Sequence, residues 1–133
     1  RRHSYAAAVA MFDRDMNYLL VSNQFYIDYG IAEHNIIGKS HYEVFPEIPE
    51  RIKEIHKKSL SGEIIRSETE EFRRANGKTD WVRWEIHPWY NEQREIGGVV
   101  LFSLVISEYL NKNLALENEV ARLRQIMDSE KTL

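Results

Sequence analysis

Between residues 63 and 106 the chain carries two turn signals in succession and then passes straight into a heptad-patterned helix. The first signal is Asn76-Gly77, set between one run that ends at Phe72-Arg73-Arg74 and another that opens at Trp81-Val82-Arg83-Trp84. Asn-Gly between alternating runs points to a hairpin, because a two-residue loop needs positive φ at both positions and these residues tolerate it. The second turn, Asn91-Glu92-Gln93-Arg94-Glu95, is longer and polar. Three antiparallel strands are implied, the last of them (Gly97 to Ile106) continuous with a helix. Such a layout suits a module that moves or docks a helix better than one that performs chemistry.

Upstream, Val9–Phe12 and Asn17–Val21 are apolar runs around Asp13-Arg14-Asp15-Met16, which reads as another hairpin. Residues Arg1 to Ala8 are short and alanine-rich and read as the end of an incoming helix. Ser22-Asn23 caps a helix over Gln24–Tyr29 that Gly30 closes. A helical turn is expected at Glu33–Ile37, ended by Gly38. Pro49 opens a longer helix, Glu50–Leu60, whose Ile52, Ile55, Ser59 and Leu60 share a face, and Ser61-Gly62 ends it. Two strands alone are marginal, so the first pair must join the last three. The fold class is α+β: a five-stranded antiparallel sheet with helices on one face, followed by a C-terminal coiled-coil helix. The expected division is a lead-in over 1–8, the domain over 9–107 and a dimeric helix over 108–133.

Composition narrows function mainly by exclusion. The net charge of −3 comes without a basic stripe, which argues against nucleic acid as a partner. The absence of cysteine removes disulfides, thiolate metal sites and cysteinyl–flavin photochemistry together, and fits a cytoplasmic location. The longest apolar run, Ile96 to Ile106, is about half of a membrane span, so this segment is not expected to contact a membrane. The chain opens on Arg1 rather than Met, so a longer parent protein is expected.

Strand alternation sets the faces. Val82, Trp84 and Ile86 should look toward the helices, and Trp81, Arg83, Glu85, His87 and Trp89 away from them. The last strand is apolar at nearly every position and reads as buried on both faces. If Val99, Leu101 and Ser103 look inward, then Trp81, Val100, Phe102 and Leu104 form an outer apolar patch that needs a cover.

In order along the chain stand Phe12-Asp13-Arg14-Asp15, Ser22-Asn23, Ile36-Ile37-Gly38-Lys39-Ser40 and Phe45-Pro46-Glu47. They are followed by Leu60-Ser61-Gly62-Glu63, Asn76-Gly77, Trp81, Pro88-Trp89 and Gly97-Gly98-Val99-Val100. Together these resemble a PAS domain over roughly residues 6–108. The resemblance implies a sheet and helices enclosing a small cavity, dimerisation, and a signal passed into the C-terminal helix. It also implies a parent such as a histidine kinase of a two-component system, a cyclic-dinucleotide enzyme or a transcription regulator, with the effector domain covalently linked. One departure is plain: the family commonly ends its last strand with Asp-Ile-Thr, and here Val105-Ile106-Ser107 stands in that place. Ser107 is expected to cap the helix, but the junction aspartate is missing.

For the cavity, the candidate lining is Phe45, Ile52, Ile55, His56, Glu70, Phe72, Trp84, Ile86, Leu101 and Ser103, and core packing alone would also account for the apolar positions. Glu68 and Glu70 share strand parity with Phe72, so either acid would enter the cavity mouth and favour a cationic or hydroxyl-bearing ligand; alternatively both are edge charges that discourage aggregation. The resemblance puts flavin-contacting polar groups at Phe72, Val82 and Ser103, so no photoactive flavin is expected. It puts a haem histidine near Arg51 rather than at His56, leaving His56 as a lesser haem candidate, against the plainer reading of a partly buried histidine packed on the sheet. No cofactor is the leading expectation. His3, His34, His41, His56 and His87 show no paired metal-ligand spacing, and there is no phosphate loop or nucleophile elbow. Enzymatic activity, where present, is expected outside this chain.

From Tyr109 the spacing is 4-3: Asn113, Val120 and Met127 fall at a, and Leu116 and Leu123 at d. Valine at a with leucine at d favours two parallel strands, and a lone Asn at a fixes register. Lys112 and Glu119 at g face Glu117 and Arg124 at e of a partner with opposite signs. The segment resembles a bZIP-type leucine zipper, by convergence or by fusion, without the basic region that binds DNA. The alternative is a helix folded back on its own sheet. The expected dimer interface is Trp81, Val100, Phe102, Leu104, Asn113, Leu116, Val120, Leu123 and Met127. The whole reads as a homodimeric sensory module, with a ligand-free docking module and a haem gas sensor as the alternatives.

Overall fold

The computed structural model describes residues 6–131. Strands β1 (Ala8–Asp13) and β2 (Tyr18–Val21) are followed by helices α1 (Asn23–Tyr29), α2 (His41–Val44) and α3 (Glu50–Leu60). Then come β3 (Ile65–Arg73), β4 (Thr79–Tyr90), β5 (Ile96–Val105) and helix α4 (Ser107–Lys131). The sheet order is β2-β1-β5-β4-β3, antiparallel throughout. The first strand pairs with the last, Ala8 opposite Ser103 and Phe12 opposite Val99, so the two ends of the domain meet in the middle of the sheet. The described part of the lead-in is not helical: Ala6 and Ala7 are irregular and Ala8 already begins β1, while Arg1–Tyr5 lie outside the described residues.

All three hairpins are built alike. Asp13, Arg74 and Asn91 each donate their backbone N–H to the carbonyl four residues on, and each accepts from the N–H three residues on. The fourth residue is left-handed: Met16 at φ 62°, Gly77 at 85° and Arg94 at 64°. This is the three-residue loop with a left-handed last position. The Asn76-Gly77 turn is therefore not the two-residue form expected: only Gly77 has positive φ, and Asn76 uses its side-chain oxygen to accept from the Lys78 N–H at 2.9 Å. Asp13 and Asn91 each accept two N–H groups of their own loop in the same way.

Helix α1 is capped by Ser22, whose hydroxyl accepts from Phe25 N–H at 3.2 Å, and ends at left-handed Gly30. The helical turn expected at Glu33–Ile37 is absent. A tight turn forms later, Lys39 N–H to Ile36 C=O at 3.0 Å, with Gly38 at φ 87°, while Asn35 competes locally for the Ile37 N–H. The core holds Phe12, Tyr18, Phe25, Ile36, Ile86 and Val99, all essentially inaccessible. At the far end of the sheet Trp89 lies across Gly97 and Gly98, with its indole N–H donating to Phe12 C=O at 2.7 Å. A Cβ at Gly98 would fall 1.8 Å from that carbonyl oxygen, so no side chain fits there.

Two expectations about strands are corrected. β5 is not buried on both faces, since Phe102 is 41% exposed on the side away from the helices. β3, an edge strand, carries one extra residue between Ser67 and Glu70 relative to Trp84 and Val82 of β4. The bulge reverses parity, so Glu68 and Glu70 point to opposite faces: Glu68 pairs with outward-facing Arg83 at 3.1 Å, and only Glu70 looks inward.

Candidate functional site

Helices α1, α2 and α3 roof the inner face of the sheet and leave a cavity of about 990 Å³. The strand period turns Val82, Trp84 and Ile86 of β4 and Leu101 of β5 into it, and α3 presents Ile52, Ile55 and His56. Phe45, Glu70 and Phe72 complete the set of expected positions in the wall. Ser103 is not among the lining residues: it is 2% exposed and its hydroxyl is bonded to that of Tyr29 at 2.6 Å. Aromatic rings dominate the interior, with Tyr29 at 5.2 Å from Phe72, 6.0 Å from Phe45 and 4.8 Å from Phe25.

The wall also holds a residue that the spacing of histidines did not single out. His41, on α2, and His56, on α3, are 6% and 4% exposed, and their ring centroids lie 5.4 Å apart. His56 is thus fully buried against α2, not half-buried against the sheet. Each ring is held at Nδ1 by a tyrosine hydroxyl: Tyr18 at 2.5 Å from His41, and Tyr42 at 2.7 Å from His56. Burial, with His56 beside it, pushes the His41 pKa down to about 3, and burial alone takes His56 to about 4. Both are neutral imidazoles at neutral pH. The signal available in the sequence was the Ser40 cap, whose hydroxyl accepts from Tyr42 N–H and starts the short helix that carries His41.

At the rim Arg51 pairs with Glu70 at 2.7 Å, so that acid already has a cationic partner within the chain; Glu47 and Glu71 also line the cavity. Across the mouth, Arg74 stands over the Phe72 ring, 5.2 Å from its centroid. Its guanidinium donates to Asp28 C=O at 2.5 Å and forms an ion pair with Asp80. Asp80 in turn accepts from the Ser107 hydroxyl at 2.7 Å, and Ser107 Oγ accepts from Trp81 N–H at 2.9 Å. The Asp80 carboxyl sits below the usual range: the Ser107 hydroxyl and Arg74 outweigh the opposing effect of its partial burial. Ser107 therefore ties the start of α4 to β4, where a capping bond within the helix was expected. An aspartate does stand at the junction, supplied by β4 in place of the one missing from Val105-Ile106-Ser107.

Beyond that root α4 does not fold back on the sheet: residues 111–130 are exposed along their length, among them Asn113, Leu116, Val120, Leu123 and Met127. Within the single chain Glu119 is engaged by Arg122 at 2.6 Å. On the outer sheet face Trp81 is 37% exposed, with Val100 and Leu104 half-buried beside Phe102.

Phe72 and Val82 are apolar where the resemblance puts polar contacts, and the Ser103 hydroxyl is taken by Tyr29. No cluster of three or more metal-ligating side chains occurs among the described residues, and no described helix is long and apolar enough to cross a membrane.

The sequence model of one protein family, described as PAS fold, matches residues 3–110. No curated protein matches the sequence significantly. Among solved structures, the PAS domain of a protein from Colwellia psychrerythraea is 16% identical, with a TM-score of 0.61 over 77% of this chain and 87% of that one. The PAS domain of the histidine kinase ThkA is 14% identical, with a TM-score of 0.56 over 74% of this chain and 97% of that one. An RNA-binding light-oxygen-voltage receptor is 17% identical, with a TM-score of 0.61 over 90% of this chain, which spans only 34% of that receptor. At these identities the likeness shows the fold.

Proposed function

This chain belongs to the PAS fold family, a family of sensory and signalling modules, and we propose that it is a homodimeric sensor in which cavity occupancy is relayed through α4 to a covalently linked effector. The observation that carries this reading is the position of Arg74. It is part of the cavity wall, and it holds Asp80, which holds Ser107 at the root of α4. A ligand that displaces Phe72 or Arg74 would disturb the same ion pair that fixes the direction of the helix. Two-state relay requires such differential contact between ligand and moving element. The ring of Cβ-bearing apolar residues lining the wall leaves room for a small molecule, since pockets of roughly 300–1,000 Å³ are typical for one.

Dimerisation completes the scheme. The seam residues Leu116, Val120, Leu123 and Met127 are exposed in the single chain, as are Trp81 and Phe102 on the outer face. A parallel pair of α4 helices, with Asn113 setting register and the outer sheet faces in contact, would cover both. Three heptads alone are marginal, so the two surfaces would act together. The domain would run over 9–107 and the output helix over 108–133.

Native mass spectrometry of the purified chain, with an absorbance scan, tests this. A dimer of the 15.8 kDa chain carrying an added small-molecule mass is the expected result. A monomer at tens of micromolar overturns the dimer. A bare dimer without any ligand-dependent melting shift replaces the sensor with a docking module, and a Soret band replaces it with haem ligated through His56.

A further inference from the structure

We infer that Arg74 is a switch with two seats. In this structure it sits on Asp80; its second seat is the carboxylate of Asp28, in the last turn of α1, and moving there releases Ser107 and the root of α4. The device rests on the relay through Arg74 and supplies the second state which that relay needs.

Two acids compete for one cation. The Arg74 Nε pairs with Asp80 Oδ2, while Nη1 already reaches α1 and donates to the backbone carbonyl of Asp28 at 2.5 Å. A guanidinium carries five N–H donors in a rigid fork, so passing from the carbonyl to the carboxylate of one residue is a short movement. The Asp28 carboxylate is the worse served of the two acids. It is half-buried, and its Oδ1 accepts from Gln24 Nε2, one turn back, at 2.7 Å. Among the described residues no cation forms an ion pair with it. Burial raises its pKa above the ordinary range, the charge of Asp80 adds to the rise, and Gln24 and Arg74 offset only part of it.

The two seats have different consequences for α4. Asp80 takes Arg74 on Oδ2 and the Ser107 hydroxyl on Oδ1, and Ser107 Oγ accepts the Trp81 N–H. With Arg74 gone to Asp28, Asp80 loses the guanidinium that fixes it, and the tie from β4 to the first residue of α4 goes slack. Both seats border the same ring in the cavity wall. Arg74 stands over Phe72 at 5.2 Å, and Tyr29, the residue after Asp28, meets Phe72 edge-on at 5.2 Å. A displacement of Phe72 therefore changes the reach of Arg74 to each acid, and the balance between two discrete seats turns it into a change at the helix root.

The test is native-state hydrogen exchange in the whole chain at two amides: Leu110, bonded to the Ile106 carbonyl, and Trp81, bonded to Ser107 Oγ. Asp28→Asn removes the charge of the second seat, so both amides should exchange about threefold more slowly, within the worth of one hydrogen bond. Gln24→Ala strips the Asp28 carboxylate of its donor and favours the second seat, so both should exchange about threefold faster. The two changes combined should be slow again, because Gln24 acts only through the Asp28 charge. Simple loosening of α1 would instead speed exchange in every variant, and faster or unchanged exchange in Asp28→Asn overturns the second seat. Asp80→Asn separates the switch from the relay. Faster exchange in Asp80→Asn, with no response to Asp28→Asn or Gln24→Ala, leaves the relay standing and removes the switch; no response to Asp80→Asn removes both. Should Asp28→Asn not fold, Gln24→Ala decides, and unchanged exchange there overturns the switch.

Discussion

The two faces of this one sheet use the same residue types to opposite ends. On the inner face the histidines are neutral and held by tyrosines, and nearly every polar atom has a partner inside the chain. On the outer face His87 lies 2.8 Å from the carboxylate of Glu85, edge-on to the half-exposed Phe102 ring at 5.8 Å. The inner face is closed by its own helices and left with a cavity. The outer face ends in apolar rings that the single chain does not cover, next to a helix that runs on with its seam bare. A closed face can respond to a small molecule, whereas an open one can respond to a second protein surface. The ion pair of Arg74 with Asp80 joins the two, because it reaches the cavity wall on one side and the helix root on the other.

The sharpest test of this contrast is pH. Both buried histidines have folded-state pKa values below the ordinary 6.5. In the unfolded chain they take up protons below about pH 6.5, and in the folded chain only near pH 3–4. The unfolded state therefore binds more protons in this window, and stability must fall as pH falls. From pH 7 to 5 the loss should be on the order of 3 kcal/mol for the two together, read from urea midpoints. Asp80, whose carboxyl is depressed, loses its contribution only at lower pH, below the ordinary carboxylate range. A flat profile between pH 7 and 5 would show that the histidines are hydrated and the inner face is not closed.

On the outer face Phe102→Lys should weaken self-association by about 2 kcal/mol, roughly thirtyfold, with the urea midpoint of the fold nearly unchanged. Sedimentation velocity across a dilution series reads both the monomer and the dimer; an unchanged dissociation constant would remove this face from the interface. At the junction Asp80→Ala should cost about 1–2 kcal/mol, discounted for solvent screening of a partly exposed pair, and should loosen α4 at Ser107. Hydrogen exchange of the Leu110 amide, which bonds to the Ile106 carbonyl, is the readout, and unaltered protection there would separate the ion pair from the helix. The smallest effect is expected for Glu85→Gln. Its hydrogen bond with His87 and its ion pair with Arg66 are open to solvent, so the thermal midpoint should not move measurably; a clear drop would mean that the outer face is better ordered than its exposure implies.

Elements set by neighbours along the chain were legible in advance. The strand faces on β4 and β5 follow from alternation, the Ser22 cap and Gly30 stop from orphan backbone groups, and the extent of α3 from Pro49 and Ser61-Gly62. The positions expected on β4, on β5 and on one face of α3 stand in the cavity wall, apart from Ser103, because inward parity on a strand and one face of a helix name the residues that can meet; the wall's residues on α1, α2 and most of the loops were not named. Where parity itself was broken, the reading failed. The bulge between Ser67 and Glu70 sent Glu68 outward, and no local signal marks it, since the extra residue is accommodated by pairing with β4. The hairpin at Asn76-Gly77 was found but not its form, because closure at Arg74 and Lys78 leaves three residues in the loop rather than two.

By itself, then, the sequence determined the order of the strands and of helices α1, α3 and α4, the antiparallel sheet with helices on one face, and, away from the β3 bulge, which strand side chains look inward. These depend on φ preferences, capping and periodicity, which act over a few residues. Only the tertiary structure brought His41 to His56, Tyr18 to His41, and Arg74 to both Asp28 and Asp80, with Ser107 closing the chain of contacts. Most of these partners lie 14 to 46 residues apart. Their meeting is decided by how three helices settle on a twisted sheet, a packing free energy summed over the whole core that no local pattern encodes.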